Sequence, residues 1–289
     1  MTSLDYETVR RYWSTADASI LGPYMMDGFG FPAGAGRFRF RAECKIVNRL
    51  IHGANRDGCV LDLGSGIGFW VEYFAERFSR VVAVEASQPL YEALEERCAS
   101  NLNVKTIRGD VLLFQPEDHY DVVFLGGMLM YLDEQDVICL LEKLIPALQP
   151  GGVILCRETT VRKGTTTRQG DYQAVYRSVA DYERIFAECE LSVRNVEVNT
   201  AYVLMQMGCE FVNKWKAVIP SPLHCLPVVG RLAYWGLRAG YPWITGIPRA
   251  LGCAYPELTN HFFVLHSDAQ PTSNSETRAR DTRPSRVER

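Results

Sequence analysis

The sequence predicts an α/β fold built on a doubly wound, largely parallel sheet. Three observations carry this. Short apolar runs alternate with helix-length stretches from residue 59 onward. The runs are continuous, as in Val81-Val82-Ala83-Val84 and Val122-Val123-Phe124-Leu125, which suits strands covered on both faces. The first run breaks into a glycine turn and restarts as a helix, across Val60-Leu61-Asp62-Leu63-Gly64-Ser65-Gly66-Ile67-Gly68-Phe69-Trp70. Glycines let the backbone turn tightly and approach a ligand, and the helix that follows directs free N–H groups at the turn.

Residues 1–56 read as an N-terminal helical cover. A short helix is expected over Leu4–Trp13. Leu21–Gly36 is an irregular apolar loop with five glycines and two prolines. A second helix runs from Gly36 to His52, with Ile46, Val47, Leu50 and Ile51 on one face and Arg37, Arg39 and Arg41 at its start. Such a segment serves as a cap on the sheet end, or as a lid from which one arginine reaches an anionic group.

Residues 57–204 hold the regular alternation. Strands are predicted at 59–63, 81–85, 104–108, 121–125 and 152–157, with helices at 69–78, 88–99 and 133–147. Asp133 stands at an N-cap position, and Pro150-Gly151-Gly152 reads as a stop and turn. Ser178–Glu190 is another helix, with Ser178 and Asp181 as a capping box. Leu191–Thr200 alternates imperfectly, as expected of a strand near the sheet edge. The last strand falls in 258–266, around His261–Leu265. From Ser267 the tail (267–289) is Ser-, Thr-, Arg- and Asp-rich, a composition that predicts disorder.

Between the last two strands lies an insertion, 205–257. Residues 211–256 contain no Asp or Glu, but six prolines, Lys214, Lys216, Arg231, Arg238, Arg249, and three of the chain's five tryptophans, Trp215, Trp235 and Trp243. It reads as a subdomain packing its aromatics on the core, or as a basic aromatic surface for an anionic or lipidic partner at a membrane interface.

The formal net charge of −3 offers no basic field for nucleic acid. The nine cysteines are scattered with no C-x-x-C pair, which argues against a disulfide framework or a zinc site. No metal is expected. The start shows no signal-peptide pattern, and no stretch approaches the ~20 apolar residues of a membrane span. A cytoplasmic protein is the expectation.

The loop spacing is Gly64-x-Gly66-x-Gly68, unlike a dinucleotide fingerprint, and no phosphate-cradle motif is present. Glu85 ends the second strand, where a carboxylate can accept both hydroxyls of a ribose. Asp110, after the third strand, can accept from an exocyclic adenine amine. These acids stand at successive strand ends.

Together, Val60–Gly68, Glu85, Gly109-Asp110-Val111, Tyr120–Leu125 and Leu148-Gln149-Pro150-Gly151-Gly152 resemble the successive motifs of class I S-adenosylmethionine-dependent methyltransferases. The resemblance covers roughly 58–200, with the final strand extending it to about 266. It implies a seven-stranded Rossmann-like methyltransferase sheet, its last strand antiparallel between the fifth and sixth. It implies S-adenosyl-L-methionine as cofactor: Asp62 holds the amino group, and Gly64, Ser65 and Gly66 pass the methionine part. Glu85 and Ala86 hold the ribose, Asp110 and Val111 meet the adenine, and the backbone near Leu125, Gly126 and Gly127 completes the site. An arginine of the preceding helix, chosen as Arg41, meets the carboxylate.

A shorter resemblance links Tyr12-Trp13 and Met26-Asp27-Gly28-Phe29-Gly30 to methyltransferases of protein N-terminal amines. The chain departs from that family at Tyr131 and at Glu158-Thr159, so the peptide substrate is not carried over. Trp13 or Phe29 near a sulfonium fits the attraction of aromatic faces for cations.

The acceptor is expected beyond strands four and five, among Tyr131, Arg157, Glu158, Tyr172 and Tyr176. Glu158 is the candidate general base, or alternatively a capping or salt-bridged acid. Tyr131 would orient an acceptor, or pack under the cover. His119 is expected to be exposed, and His261 to satisfy a backbone group. The expected function is methyl transfer to an O or N atom of a small-molecule acceptor in biosynthesis. Alternatives are a lipid, saccharide or carrier-tethered acceptor docked on 205–257, and a cofactor-binding protein that does not methylate.

Overall fold

The computed structural model describes residues 3–16, 30–32, 34–220, 227–252 and 256–267. The loop at 21–29, including Phe29 and most of Met26–Gly30, and the tail beyond 267 lie outside the described residues.

The glycine loop grows from β1 (Cys59–Leu63), a strand buried along its whole length. β1 pairs in parallel with β2 (Arg80–Glu85) and β4 (Tyr120–Leu125), and β2 with β3 (Val104–Arg108). β5 (Leu148–Val161) extends the parallel set beside β4. β9 (Thr259–Ser267) runs antiparallel between β5 and β8 (Leu191–Val198). This is the order and the reversed last strand that the resemblance implies.

Two strands go beyond the predicted seven. β6 (Thr165–Arg168) and β7 (Ala174–Ser178) form an antiparallel hairpin, and β7 pairs with the end of β5 at Thr160 and Val161. The sheet therefore has nine strands. β5 itself is longer than 152–157: Gln149–Gly152 belong to its start, and its end overshoots β4, whose Leu125 faces Cys156. Past that point, β5 finds its partner in the hairpin.

Alternate residues of each strand face two cores. Leu61, Leu63, Val82, Val84, Val123 and Leu125 pack under α5 (Glu134–Leu144) and α6 (Val179–Glu188). Val60, Val81, Ala83, Val122 and Phe124 pack under α2 (Gly34–Leu50) and α3 (Phe69–Ala75), with Leu94 from α4 (Gln88–Cys98). Gly68 caps α3 at φ +85°, where a Cβ would meet Leu94 Cδ1 at 2.7 Å, so the turn excludes larger residues by both conformation and space.

The caps came out differently from one another. Ser178 Oγ accepts from Asp181 N (3.2 Å), the first half of the capping box, and donates to the Asp181 carboxylate (2.7 Å), while Ser178 N donates to Gly164 O (2.8 Å) in place of the second half. Asp133 stands at the N-cap of α5, but its side chain makes no cap bond. Its carboxylate instead accepts from Ser3 Oγ (2.6 Å) and Leu4 N (3.1 Å), tying down α1 (Tyr6–Ser14). His261 Nδ1 lies within hydrogen-bond distance of Thr160 Oγ1 (2.8 Å).

Three helices precede β9: α7 (Thr200–Val218), α8 (Pro227–Ala239) and α9 (Trp243–Ala250). Asn199 caps α7 by accepting from Tyr202 N (3.0 Å). Leu204, Met205 and Tyr234 join Ala35 of α2 in a small separate core. No helix among the described residues is long and apolar enough to cross a membrane.

Candidate active site

A cavity of about 1020 Å³ opens at the C-terminal ends of β1, β2 and β3, beneath α1. Asp62, Gly64, Ser65 and Gly66 form its floor. Gly66 has φ +56°, and a Cβ there would meet nothing within 4 Å, so its backbone faces open space. Asp62 is buried, and its Oδ2 has no hydrogen-bond partner among the described residues. Burial, and next the nearby Glu85 carboxylate, push its carboxyl up to about 8. A lone buried carboxylate facing a cavity is costly unless a cation joins it.

Glu85 closes the next side. Its Oε2 accepts from Gly66 N and its Oε1 from Ser87 N, both at 2.8 Å. Burial raises its carboxyl above the ordinary glutamate value. Each carboxylate oxygen has a second lone pair for a hydroxyl donor. Asp110 follows, its Oδ1 accepting from Leu112 N (2.9 Å) and its Oδ2 pairing with Arg10 of α1 (3.1 Å). Ala86 and Val111 line the cavity beside these acids.

The lid is α1. Ser87 Oγ donates to Trp13 O (2.8 Å), Asp5 N donates to Gln173 Oε1 (3.0 Å), and Tyr6 Oη accepts from Asp133 N (2.9 Å). Trp13 lies in the cavity wall, its ring 5.4 Å edge-on from Tyr131. Tyr131 donates to or accepts from Tyr172 at 2.9 Å. Burial holds both phenols far above their usual range, so they act as neutral hydroxyls. Tyr176 and Tyr202 complete this aromatic end.

Three expected residues fall elsewhere. Arg41 is exposed on the outer side of α2 and lines a different groove. Arg39 lines the cavity instead, because Arg39, Glu43, Ile46 and Val47 share the buried face of α2. Leu125 is fully buried in the core; Gly126, Gly127 and Met128 meet the cavity in its place. Glu158 does not line the cavity. It accepts from Met128 N and Leu129 N, both at 3.1 Å, capping the 3-10 turn Leu129–Tyr131. Along β5, Val153, Leu155, Arg157 and Thr159 share one face, and Glu158 belongs to the other. Burial moves its carboxyl up to about 7. Glu158→Gln keeps an acceptor for both N–H groups, so methyl transfer should stay within about threefold of wild type; Glu158→Ala leaves two buried donors unpaired and should destabilise by about 2–4 kcal/mol. Thermal unfolding and single-turnover rates of the two variants check this.

Arg39 is one of the three arginines considered from the sequence, with Arg41 chosen; Arg10, Thr159 and Tyr202 are passed over there. Arg39 and Arg157 are buried cations lining the cavity, and Arg10 pairs with Asp110. Glu43, wholly buried, accepts from Arg39 Nε (2.8 Å) and Arg157 Nε (2.9 Å). Arg157 also donates to Gly126 O (3.2 Å).

A family model described as "Methyltransferase domain" matches residues 60–152. Phosphoethanolamine N-methyltransferase 3 of Arabidopsis thaliana is 27% identical over 159 residues, 54% of this chain and 32% of the relative. The chain thus spans about a third of that relative's length. Alpha N-terminal protein methyltransferase 1 of Drosophila melanogaster is 25% identical over 63% of this chain and 66% of its own. Among solved structures, a SAM-dependent methyltransferase of Leishmania major superposes with a TM-score of 0.60 at 15% identity, covering 90% of this chain and 82% of its own. By its motifs, its strand order and these matches, the chain carries a methyltransferase domain with the class I S-adenosylmethionine-dependent methyltransferase fold.

Proposed function

We propose that this protein transfers the methyl group of S-adenosylmethionine to an oxygen or nitrogen atom of a small acceptor. The observation that carries the reading is the buried, unpartnered Asp62 oxygen at the floor of a cavity whose next two strand ends hold Glu85 and Asp110. These groups fit the cofactor. Asp62 would take its ammonium, Arg39 its carboxylate, Glu85 the ribose hydroxyls, and Asp110 with Val111 the adenine. When bound, the cofactor supplies a methyl group already activated on a sulfonium.

The acceptor end is left to Trp13, Tyr131, Tyr172, Tyr176, Tyr202 and Arg157. Among the described residues lining the cavity, the carboxylates are Asp62, Glu85 and Asp110, and there is no histidine. We therefore assign catalysis to positioning and to exclusion of water rather than to a general base. Tyr131 and Tyr172 orient the acceptor through neutral hydroxyls. The acceptor would arrive with its lone pair available, as an anionic oxygen or a neutral amine. Arg157 favours one that also carries an anionic group, a requirement that a phosphorylated amine like that in the plant relative's name would meet. The scattered cysteines suit a reducing compartment, and we place the activity in the cytoplasm.

The test is incubation with labelled cofactor and a panel of phosphorylated amines, amino acids and phenolic acids. Formation of S-adenosylhomocysteine with a methylated product is expected. Tyr131→Phe should keep turnover within about tenfold and leave the pH profile unchanged, as removal of an orienting hydroxyl predicts. Loss of a pH-dependent limb in that variant would make Tyr131 the base.

A further inference from the structure

Ten large apolar side chains stand exposed among the described residues, and eight of them lie between Phe211 and Leu251. They are not scattered. On α8, Val228, Leu232 and Trp235 recur at i, i+4 and i+7, all exposed. On α9 and its end, Trp243, Ile247 and Leu251 recur at i, i+4 and i+8, with Trp243 72% and Leu251 74% exposed. Phe211 and Val218 add exposed positions on α7. The opposite sides of these helices are spoken for: Leu204, Met205 and Tyr234 sit in the small core with Ala35. α7 and α8 are thus apolar inward and also carry exposed apolar side chains, and α9 exposes an apolar stripe, a pattern that helices facing only water do not need.

The charge beside these stripes is one-sided. No Asp or Glu occurs from 211 to 256, and Lys214 and Arg231 are exposed. A second groove of about 760 Å³ adjoins them, bordered by Arg238 and Tyr241 from the end of α8 and by α2. On α2, Arg37, Arg41, Lys45 and Arg49 recur every fourth residue, all exposed, as a basic ridge along that groove. Arg49 pairs with Glu197; Arg37, Arg41 and Lys45 have no acidic partner among the described residues. Phe38 of α2 meets Tyr241 edge-on at 5.3 Å, so ridge and helices are physically joined.

We propose that α7–α9 and the α2 ridge form a peripheral docking surface for an anionic lipid bilayer. Exposed tryptophans and aliphatic side chains would enter the headgroup boundary, while the ridge attracts the surface charge. Apolar area and positive charge are both needed for stable attachment of a surface without a lipid anchor. A second protein copy would be repelled by the same one-signed charge, so a lipid surface is the occupant we commit to. The inference stands independently of the methyl acceptor.

The test is flotation of the full chain with phosphatidylcholine vesicles, with and without phosphatidylglycerol. Retention on the anionic vesicles at low salt, lost at high salt, is expected. Leu232→Glu with Trp243→Glu, and separately Arg41→Glu with Lys45→Glu, should each lower retention about tenfold or more. All four side chains are exposed, and circular dichroism with thermal unfolding checks that the variants fold; Trp243→Ser and Arg41→Gln serve if either pair does not. Absence of retention at low salt overturns the proposal, as does retention that neither pair changes. A dimer in solution, removed by Leu232→Glu with Trp243→Glu and without vesicle binding, would make the face a contact between copies and overturn it as well.

Discussion

Asp62→Asn should stabilise the ligand-free protein at alkaline pH while weakening its affinity for the cofactor roughly 10–150-fold. In the folded chain the Asp62 carboxyl keeps its proton up to about 8, against an ordinary aspartate value of 3.8. Between those values the folded state holds more protons than the unfolded state. Stability from this group is therefore present at low pH, falls as pH rises from about 4 to 8, and is gone above 8. At ~1.4 kcal/mol per pH unit, the span amounts to about 6 kcal/mol at the upper limit. Asparagine has no proton to lose. The melting temperatures of wild type and variant should coincide near pH 4 and diverge by several degrees at pH 9, the variant higher. Equal melting curves at pH 9 would mean that Asp62 is not a lone buried charge.

Glu43→Ala should produce the largest loss of stability. This wholly buried carboxylate bridges Arg39 of α2 and Arg157 of β5, and also accepts from Asn199, which caps α7 and donates to Asn260 Oδ1 of β9 at 2.9 Å. One side chain thus joins the N-terminal cover, the sheet and the helical insertion. Removing it takes the carboxylate acceptor from two buried guanidinium groups, a loss of about 3–5 kcal/mol. Thermal unfolding should shift down by roughly 10 °C. Asp62 lines the cavity and Glu43 lies behind the cavity-lining Arg39 and Arg157, so the opposite signs of the two variants separate a group held for binding from one held for architecture. A Glu43→Ala melting point within 2 °C of wild type would remove Glu43 from that role.

Much of the sheet was readable because parallel strands buried on both faces are apolar without interruption. β1 and β3 begin and end where the sequence places them, at 59–63 and 104–108. The β6–β7 hairpin was not readable: Thr165-Thr166-Thr167-Arg168 is short and polar, and its pairing depends on the distant overshoot of β5. The helices of 200–250 were obscured for a different reason. Val228, Leu232 and Trp235 of α8 and Trp243 and Ile247 of α9 stand exposed, so the apolar stripes of these helices do not mark the side that faces the core. In the site, Asp62 and Glu85 belong to the apolar strands β1 and β2, and Asp110 stands two residues past the mixed strand β3. Arg39 and Glu158 were misassigned through phase. The helical period extends Ile46 and Val47 back to Glu43 and Arg39, and the strand period sets Glu158 opposite Arg157. Both periods were present in the sequence and point the right way.

Calorimetric titration with S-adenosylhomocysteine, which carries the same ammonium, ribose and adenine as the cofactor, tests the central claim most directly. Wild type should bind one equivalent, more tightly at pH 8 than at pH 6, and below pH 8 binding should release a proton as the ligand's ammonium draws Asp62 into its charged form. Asp62→Asn should lose roughly 10–150-fold in affinity together with that proton release, the range expected when a hydrogen bond between charged groups is removed. Absence of binding to the wild type at millimolar ligand would contradict the account.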